Sequence, residues 1–545
     1  MMSSVSGTLN SRRQSFEKSE SRRLVNLVTA EWIVLGLCVC LIWGPRLRRS
    51  FWVDEAGTWW MAHDGPLAAL QKTLHWPGQS LLYSIIASFF CLPAGPLREF
   101  ALRVPSLIGM AIAAYFLYRM AEEAIGRGSG FIALAMFAFN PVCYRLGTEA
   151  RPYALALAAT AASSWLLYKW VQTRSRRDLI WYVIASTLIV YFQYLFAAIF
   201  VVQVVYLLWV FVFERNYAKW QEIVGAFILM GVLILPLLPH LKLLLEQGRT
   251  LPFRSALPDP MELMTFVLPT VVAFGMFVGA LFVQFLFPTG EHGSGLSRST
   301  VLFFSTWLLL VPTLFLALTV KSKTDIFVDR YMSFSLEADA LLLAAAGYVF
   351  FGTSRARLWA LCAILLSTAS PIAMRRAWGI GYDDLKPFMQ IIQSESQTNP
   401  LPPVFFRSEL PESNFNNWRD GLQGESRLYA PFMVYPMPNR LLPLPFHFTR
   451  DAKRFISDKL DSELRNVPEV IFVTHDDSWD SWMIGRMAQS GFTLFRQEKP
   501  NLFSVLIFKK SNLVKNATGP SNSFSERSVE DADQVVDNVN RSVKR

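Results

Sequence analysis

LVNLVTAEWIVLGLCVCLIWG, residues 24–44, is an apolar run of the length that crosses a bilayer. It follows a polar, Ser-rich stretch carrying Arg12, Arg13, Lys18, Arg22 and Arg23, with no small-residue cleavage site soon after the apolar core. Those features describe an uncleaved anchor with a cytoplasmic tail over residues 1–24. Similar runs recur up to residue 374. The pattern predicts eleven spans, at about 25–45, 101–120, 130–147, 152–170, 179–194, 195–213, 222–240, 261–287, 300–320, 332–351 and 357–374. A further apolar stretch at 80–94 is short and broken by Pro93 and Gly95, and is expected as a juxtamembrane or re-entrant helix. Composition agrees: 52% of the 545 residues are hydrophobic and 17% charged, against roughly 25% charged in a soluble domain. The fold class is thus a polytopic α-helical membrane protein. All five cysteines (38, 40, 91, 143, 362) lie in apolar stretches, so no disulfide framework is expected.

Short loops rich in Lys and Arg stay in the cytoplasm. Lys169, Arg174, Arg176 and Arg177 form the clearest such loop, with Arg215/Lys219 and Arg355/Arg357 in register with it. Eleven spans then put everything from Arg375 onward outside. The outer side is nevertheless basic, with Arg46, Arg48 and Arg49, then Lys242, Arg249 and Arg254, then Lys321, Lys323 and Arg330. An anionic partner at the membrane surface accounts for cations placed against the topology rule.

Residues 375–510 change character. YDDLKPFMQIIQ reads as an amphipathic helix, PVFFRS and EVIFVTH as strands, DDSWDSWMIGRMAQSG as a helix, and FTLFRQ and FSVLIFKK as closing strands. This alternation predicts a small extracytoplasmic α/β domain on a transmembrane module over 25–374. It shows no nucleotide loop, triad or metal pattern. Residues 511–545 are polar and expected to be disordered.

Three motifs gather ionisable residues at the outer ends of spans. FWVDEAGTWWMAHDGP, residues 51–66, puts Asp54 and Glu55 just beyond the first span. Carboxylates near a membrane interior are functional by default, although an Asp N-cap with Glu on the helix dipole would read the same way. TEARPYALALA, residues 148–158, brings Glu149, Arg151 and Tyr153 to the same side, with Pro152 suited to a first helical turn. VDRYMSF, residues 328–334, adds Arg330 and Tyr331; a guanidinium there suits a phosphate oxygen.

The order of these motifs, with a His-Pro-type stretch and RVPSLIG (103–109) between the first two, resembles the GT-C superfamily over residues 25–375. The branch is that of the protein O-mannosyltransferases and lipid A aminoarabinose transferases. The resemblance implies transfer of a sugar from a polyprenyl-phosphate carrier to an extracytoplasmic hydroxyl or phosphate, with inversion. It implies Asp54 as base or acceptor-positioning group, Glu55 as its catalytic neighbour, Glu149 as the acid of the second external loop, and Arg330 on the carrier phosphate. His75, Arg151, Tyr153, Lys242, Arg249 and Tyr331 complete the expected substrate-binding set. The chemistry is consistent with those roles: a sugar hydroxyl needs a base as it attacks, and cations stabilise charge developing on a leaving phosphate.

Relatives commonly carry two prolines where this chain reads LHWPGQSLLYS, residues 74–84. In some, a Glu and a His hold a divalent ion; here His63, His75 and His240 are scattered candidates, and no metal ligands are assigned. The expected partners are the lipid-linked donor, membrane lipids, and a glycolipid, polysaccharide or protein acceptor, without nucleic acid. The expected location is a bacterial inner membrane with the site facing the periplasm or exterior. Two other classes compete. A transporter would carry acids in mid-span and repeated halves, and a non-catalytic assembly subunit would have a degraded site.

Overall fold

The computed structural model describes residues 29–76, 78–92, 95–213, 220–248, 296–322, 326–379, 384–396, 400–407 and 427–511. The expected tail at 1–24, the span at 261–287, Arg249 and nearly all of the expected disordered tail lie outside them.

The chain forms two compact units. One comprises residues 1–389 with 408–436, the other 390–407 with 437–545. In the first unit, helix α1 (Thr29–Leu47) is the first apolar span. Three short helices follow: α2 (Val53–Ala62), α3 (Pro66–His75) and α4 (Leu81–Ser88). At 1.5 Å per residue α4 is about 12 Å long, too short to cross a bilayer. Next come α5 (Arg98–Ala124), α6 (Ser129–Phe139), α7 (Pro141–Gly147), α8 (Tyr153–Thr173), α9 (Arg176–Phe192), α10 (Ile199–Phe213), α11 (Trp220–Ile234) and α12 (Leu238–Gly248). The unit continues with α13 (Arg298–Ser322), α14 (Asp329–Met332), α15 (Ser335–Ala369) and α16 (Pro371–Trp378).

Among the described residues six helices are long and apolar enough to cross a membrane, or seven if α6 and α7, bent by 75° at Asn140, make one broken span. Helix α8 is long but rich in Ala, Ser and Thr, and nearly all of it is buried. Small residues suit a helix packed against other helices rather than lipid. At Gly109 of α5 the α8 backbone comes close: a Cβ there would lie 2.8 Å from the Ala154 carbonyl. Helix α15 reverses at Gly352, whose φ of 69° only glycine adopts freely. A Cβ at Gly347 would lie 3.5 Å from that of Ala356, whereas nine residues of straight helix span about 13.5 Å. The stretch therefore turns back on itself near Gly352, in the gap the sequence pattern leaves between 332–351 and 357–374.

Helix α17 (Lys386–Glu395) runs from the first unit into the second. In the second unit, strands β1 (Val404–Arg407), β2 (Leu441–Leu444), β3 (Glu469–Thr474), β4 (Phe492–Glu498) and β5 (Ser504–Lys510) form one sheet in the order β2-β1-β3-β5-β4. The strands β1, β2 and β3 are parallel, and β5 is antiparallel to β3 and β4. Helices α19 (Arg450–Glu463) and α20 (Asp477–Gln489) complete the α/β unit. The sequence pattern did not reveal β2 because Pro443 interrupts LLPL. Its place at the sheet edge explains why that proline is tolerated.

The short helix α18 (Ala430–Val434) belongs to the first unit, although the sequence suggested a domain starting at 375. The Tyr435 hydroxyl donates to Glu99 at 2.9 Å and accepts from the Phe51 amide at 2.9 Å. Lys386 reaches Glu99 at 2.8 Å. These bonds hold the 427–436 segment on the N-terminal end of α5.

Candidate active site

The two adjacent carboxylates have separate surroundings. Glu55 is fully buried. Arg103 of α5 grips it in a two-pronged bond, Nε to Oε1 at 2.7 Å and Nη2 to Oε2 at 2.6 Å. The same guanidinium donates to the carbonyls of Arg46, Leu47, Arg49 and Ser50. The Ala150 amide gives Glu55 Oε1 a third bond at 2.7 Å. Arg103 therefore fixes the turn after α1, and Glu55 ties the 149–151 loop to that turn. Ser106, one helical turn on, donates to the Arg151 carbonyl at 3.1 Å. RVPSLIG thus positions both loops through Arg103 and Ser106.

Asp54 points elsewhere. Its Oδ2 lies 3.2 Å from Arg151 Nη2 and 3.5 Å from Arg330 Nη1. Its Oδ1 accepts no hydrogen bond among the described residues, and the side chain stays about one-fifth exposed (21%). Burial pushes the Asp54 carboxyl up, but Arg151, Arg330 and Arg427 outweigh it and leave the group below its ordinary value. Asp54 is therefore an ionised carboxylate with one oxygen fixed and one open. Arg427 passes over Gly57 of α2, where a Cβ would come within 2.9 Å of its Nη2. Nothing in the sequence linked Arg427 to the first loop.

The remaining charges form a chain. Arg145 pairs with Asp329 and lies 3.7 Å from Glu149. Asp329 precedes Arg330, and Glu149 precedes the Ala150 bond to Glu55 by one residue. The rings of Tyr153 and Tyr331 lie 6.2 Å apart, with Arg151 over the first and Arg330 over the second. Asp54, Glu149, Arg151, Tyr153, Arg330 and Tyr331 are thus brought to one place from three loops.

Two expected residues go elsewhere. Lys242 stands on the exposed face of α12, 3.9 Å from Glu246, and among the described residues makes no contact with this group. His75 ends α3 with Nδ1 on its own Gln71 carbonyl and faces a separate cavity. No three His, Cys, Asp or Glu side chains among the described residues gather as metal ligands. His63 contacts the Trp60 carbonyl and Asp64, and His240 the Thr73 carbonyl and Tyr194.

Residues 79–241 match the family model described as dolichyl-phosphate-mannose-protein mannosyltransferase. No curated protein sequence matches the chain. The structure is similar to ArnT from Cupriavidus metallidurans bound to undecaprenyl phosphate, with a TM-score of 0.51 and 10% identity over 92% of this chain and 100% of that one. The protein has the GT-C fold. The apo form of the same ArnT gives the same figures. The archaeal oligosaccharyltransferase AglB from Archaeoglobus fulgidus, in complex with an inhibitory peptide and a dolichol-phosphate, aligns with a TM-score of 0.42 and 13% identity over 84% of this chain and 70% of that one.

With this fold and its long apolar helices, the chain is an integral membrane protein. The segment matched by the family model contains Arg103, Glu149 and Arg151. Asp54 and Arg330 lie outside it and join it through the ion pairs just described.

Proposed function

We propose that the protein transfers a sugar from a polyprenyl-phosphate carrier to an extracytoplasmic acceptor with inversion, and that Asp54 is the base. The observation that carries this reading is the open Oδ1 beside an Oδ2 held by two arginines. The acceptor hydroxyl attacks the anomeric carbon from the face opposite the phosphate, and its proton passes to Asp54. The bond from that carbon to the phosphate oxygen breaks, its electron pair stays on the phosphate, and the products are the glycoside and polyprenyl phosphate. Of the two arginines on Asp54, Arg330 is the more exposed, its side chain 31% exposed against 8% for Arg151, and it is the one we assign to the donor phosphate. As it turns to the phosphate it stabilises the developing charge and releases Asp54, making the carboxylate more basic at the moment it is needed. Arg151, more deeply buried, holds Asp54 in place.

Glu55, expected to be a catalytic neighbour, has its oxygens occupied by Arg103 and Ala150. We assign it a positioning role. The basic outer loops fit an anionic carrier and a site on the periplasmic side of a bacterial inner membrane. Purified protein in nanodiscs, given a panel of radiolabelled polyprenyl-phosphate sugars, tests the assignment. One donor should turn over in the wild type and not in Asp54→Asn, with donor binding retained. Equal turnover by both proteins would remove Asp54 from the chemistry.

A further inference from the structure

A cavity of about 590 Å³ opens at the far end of α2 from Asp54, within the 300–1,000 Å³ range of small-ligand sites. Trp60, Asp64, Gln71, Lys72, His75 and Trp76 form most of its wall. Its charges are already satisfied by one another. Lys72 Nζ lies 2.7 Å from Asp64 Oδ2, donates to the Trp60 carbonyl at 2.7 Å, and sits 4.4 Å from the centre of the Trp60 ring. Lys72 and His63 both face the Asp64 carboxylate, so the described lining residues present no unpaired Lys, Arg, Asp or Glu to an anion. It does offer apolar ring surface with a few directed polar groups. The Trp76 ring stands edge-on to Trp60 at 6.3 Å, and the Gln71 amide makes no hydrogen bond among the described residues. Aromatic faces beside uncharged donors and acceptors suit the C–H faces and hydroxyls of a sugar ring. Trp60 is six residues along α2 from Asp54, about 9 Å along the helix axis and about 240° around it, so only an acceptor longer than one ring can span from this cavity to the base.

We propose that this cavity is the acceptor subsite and that the acceptor is a neutral saccharide, which rests on the transferase reading above. Trp76 supplies ring surface, Gln71 and His75 hydrogen bonds, and the Lys72–Asp64 pair holds α3 against α2. The test uses the full chain in nanodiscs on an array of defined neutral and anionic oligosaccharides, without donor. Neutral glycans should be retained. Trp76→Ala should lower retention at least tenfold, and Trp76→Phe should restore most of it at an unchanged melting temperature. A blank array, retention of anionic glycans alone, or equal retention by wild type and Trp76→Ala would overturn the proposal. Because no donor is present, those results leave the Asp54 turnover test to be judged separately.

Discussion

Asp54 and Glu55 are neighbours in sequence and opposites in surroundings. Around Glu55 every acceptor position faces a donor, the side chain is sealed, and the arginine opposite it also binds four backbone carbonyls. Around Asp54 the contacts are longer, fall on one oxygen, and come from side chains with room to move. The first cluster has the completeness of a structural joint and the second the incompleteness of a site awaiting a ligand. Adjacent acids of one helix thus divide the work, because a turn of about 100° per residue sends one inward and one outward.

The sharpest way to break this contrast is to exchange the effects. Asp54→Asn should cut donor turnover by about 10²–10⁴-fold, the usual worth of a general base, with little change in melting temperature. Glu55→Gln should do the reverse in kind. It leaves Arg103 buried without its partner, at a cost of about 3–5 kcal/mol, read as a fall in thermal stability of the detergent-solubilised protein. Adding Arg103→Met should recover part of that loss, since the double variant no longer buries an unpaired charge. If Glu55→Gln kept full stability yet lost turnover, the division between the two acids would collapse.

Much of this arrangement could be read in the sequence. The apolar runs gave the membrane module, and acids and arginines at the outer ends of spans gave Asp54, Glu149, Arg151 and Arg330. Period-two and period-3.6 patterns marked four of the five strands and the helices α17 and α20, but not α18 or α19. Three things stayed hidden for physical reasons. Pairing partners are a tertiary property, so Asp-Glu looked like one catalytic unit until Arg103 was seen to take the second member. Arg427 is brought over Gly57 by chain topology alone, and Lys242 showed a charge without showing its direction. Arg103 itself was visible as an arginine inside an apolar run, the signal that should have named it.

A smaller effect tests how the second loop is held. Gly109 lets α8 approach α5 until a Cβ would sit 2.8 Å from the Ala154 backbone. Gly109→Ala should therefore push α8 outward, costing about 1–3 kcal/mol by overpacking and disturbing Arg151, whose carbonyl Ser106 holds one turn away. Thermal melts and donor turnover should fall together. A variant as stable as wild type would mean that the two helices separate freely and that the loop is fixed by Glu55 alone.

The least expected change in rate, and the most informative about Asp54, is in pH dependence. The base works ionised, and its arginines hold the carboxyl below its ordinary value against the opposing effect of burial. The contribution of these pairs to stability is present above the ordinary carboxylate pKa of about 3.9 and is lost as pH falls through the lowered folded value. The rate should follow the same carboxylate, staying level through neutrality and declining only in strong acid. Arg330→Gln removes one of the cations that depress it, so the acid limb of kcat/KM should move to higher pH while the neutral-pH rate drops through loss of the phosphate contact. Both shifts come from one guanidinium, and only a base paired with Arg330 predicts them together. An acid limb that stays in place in Arg330→Gln would assign the titrating group to another residue, with Glu149 the next acid to replace.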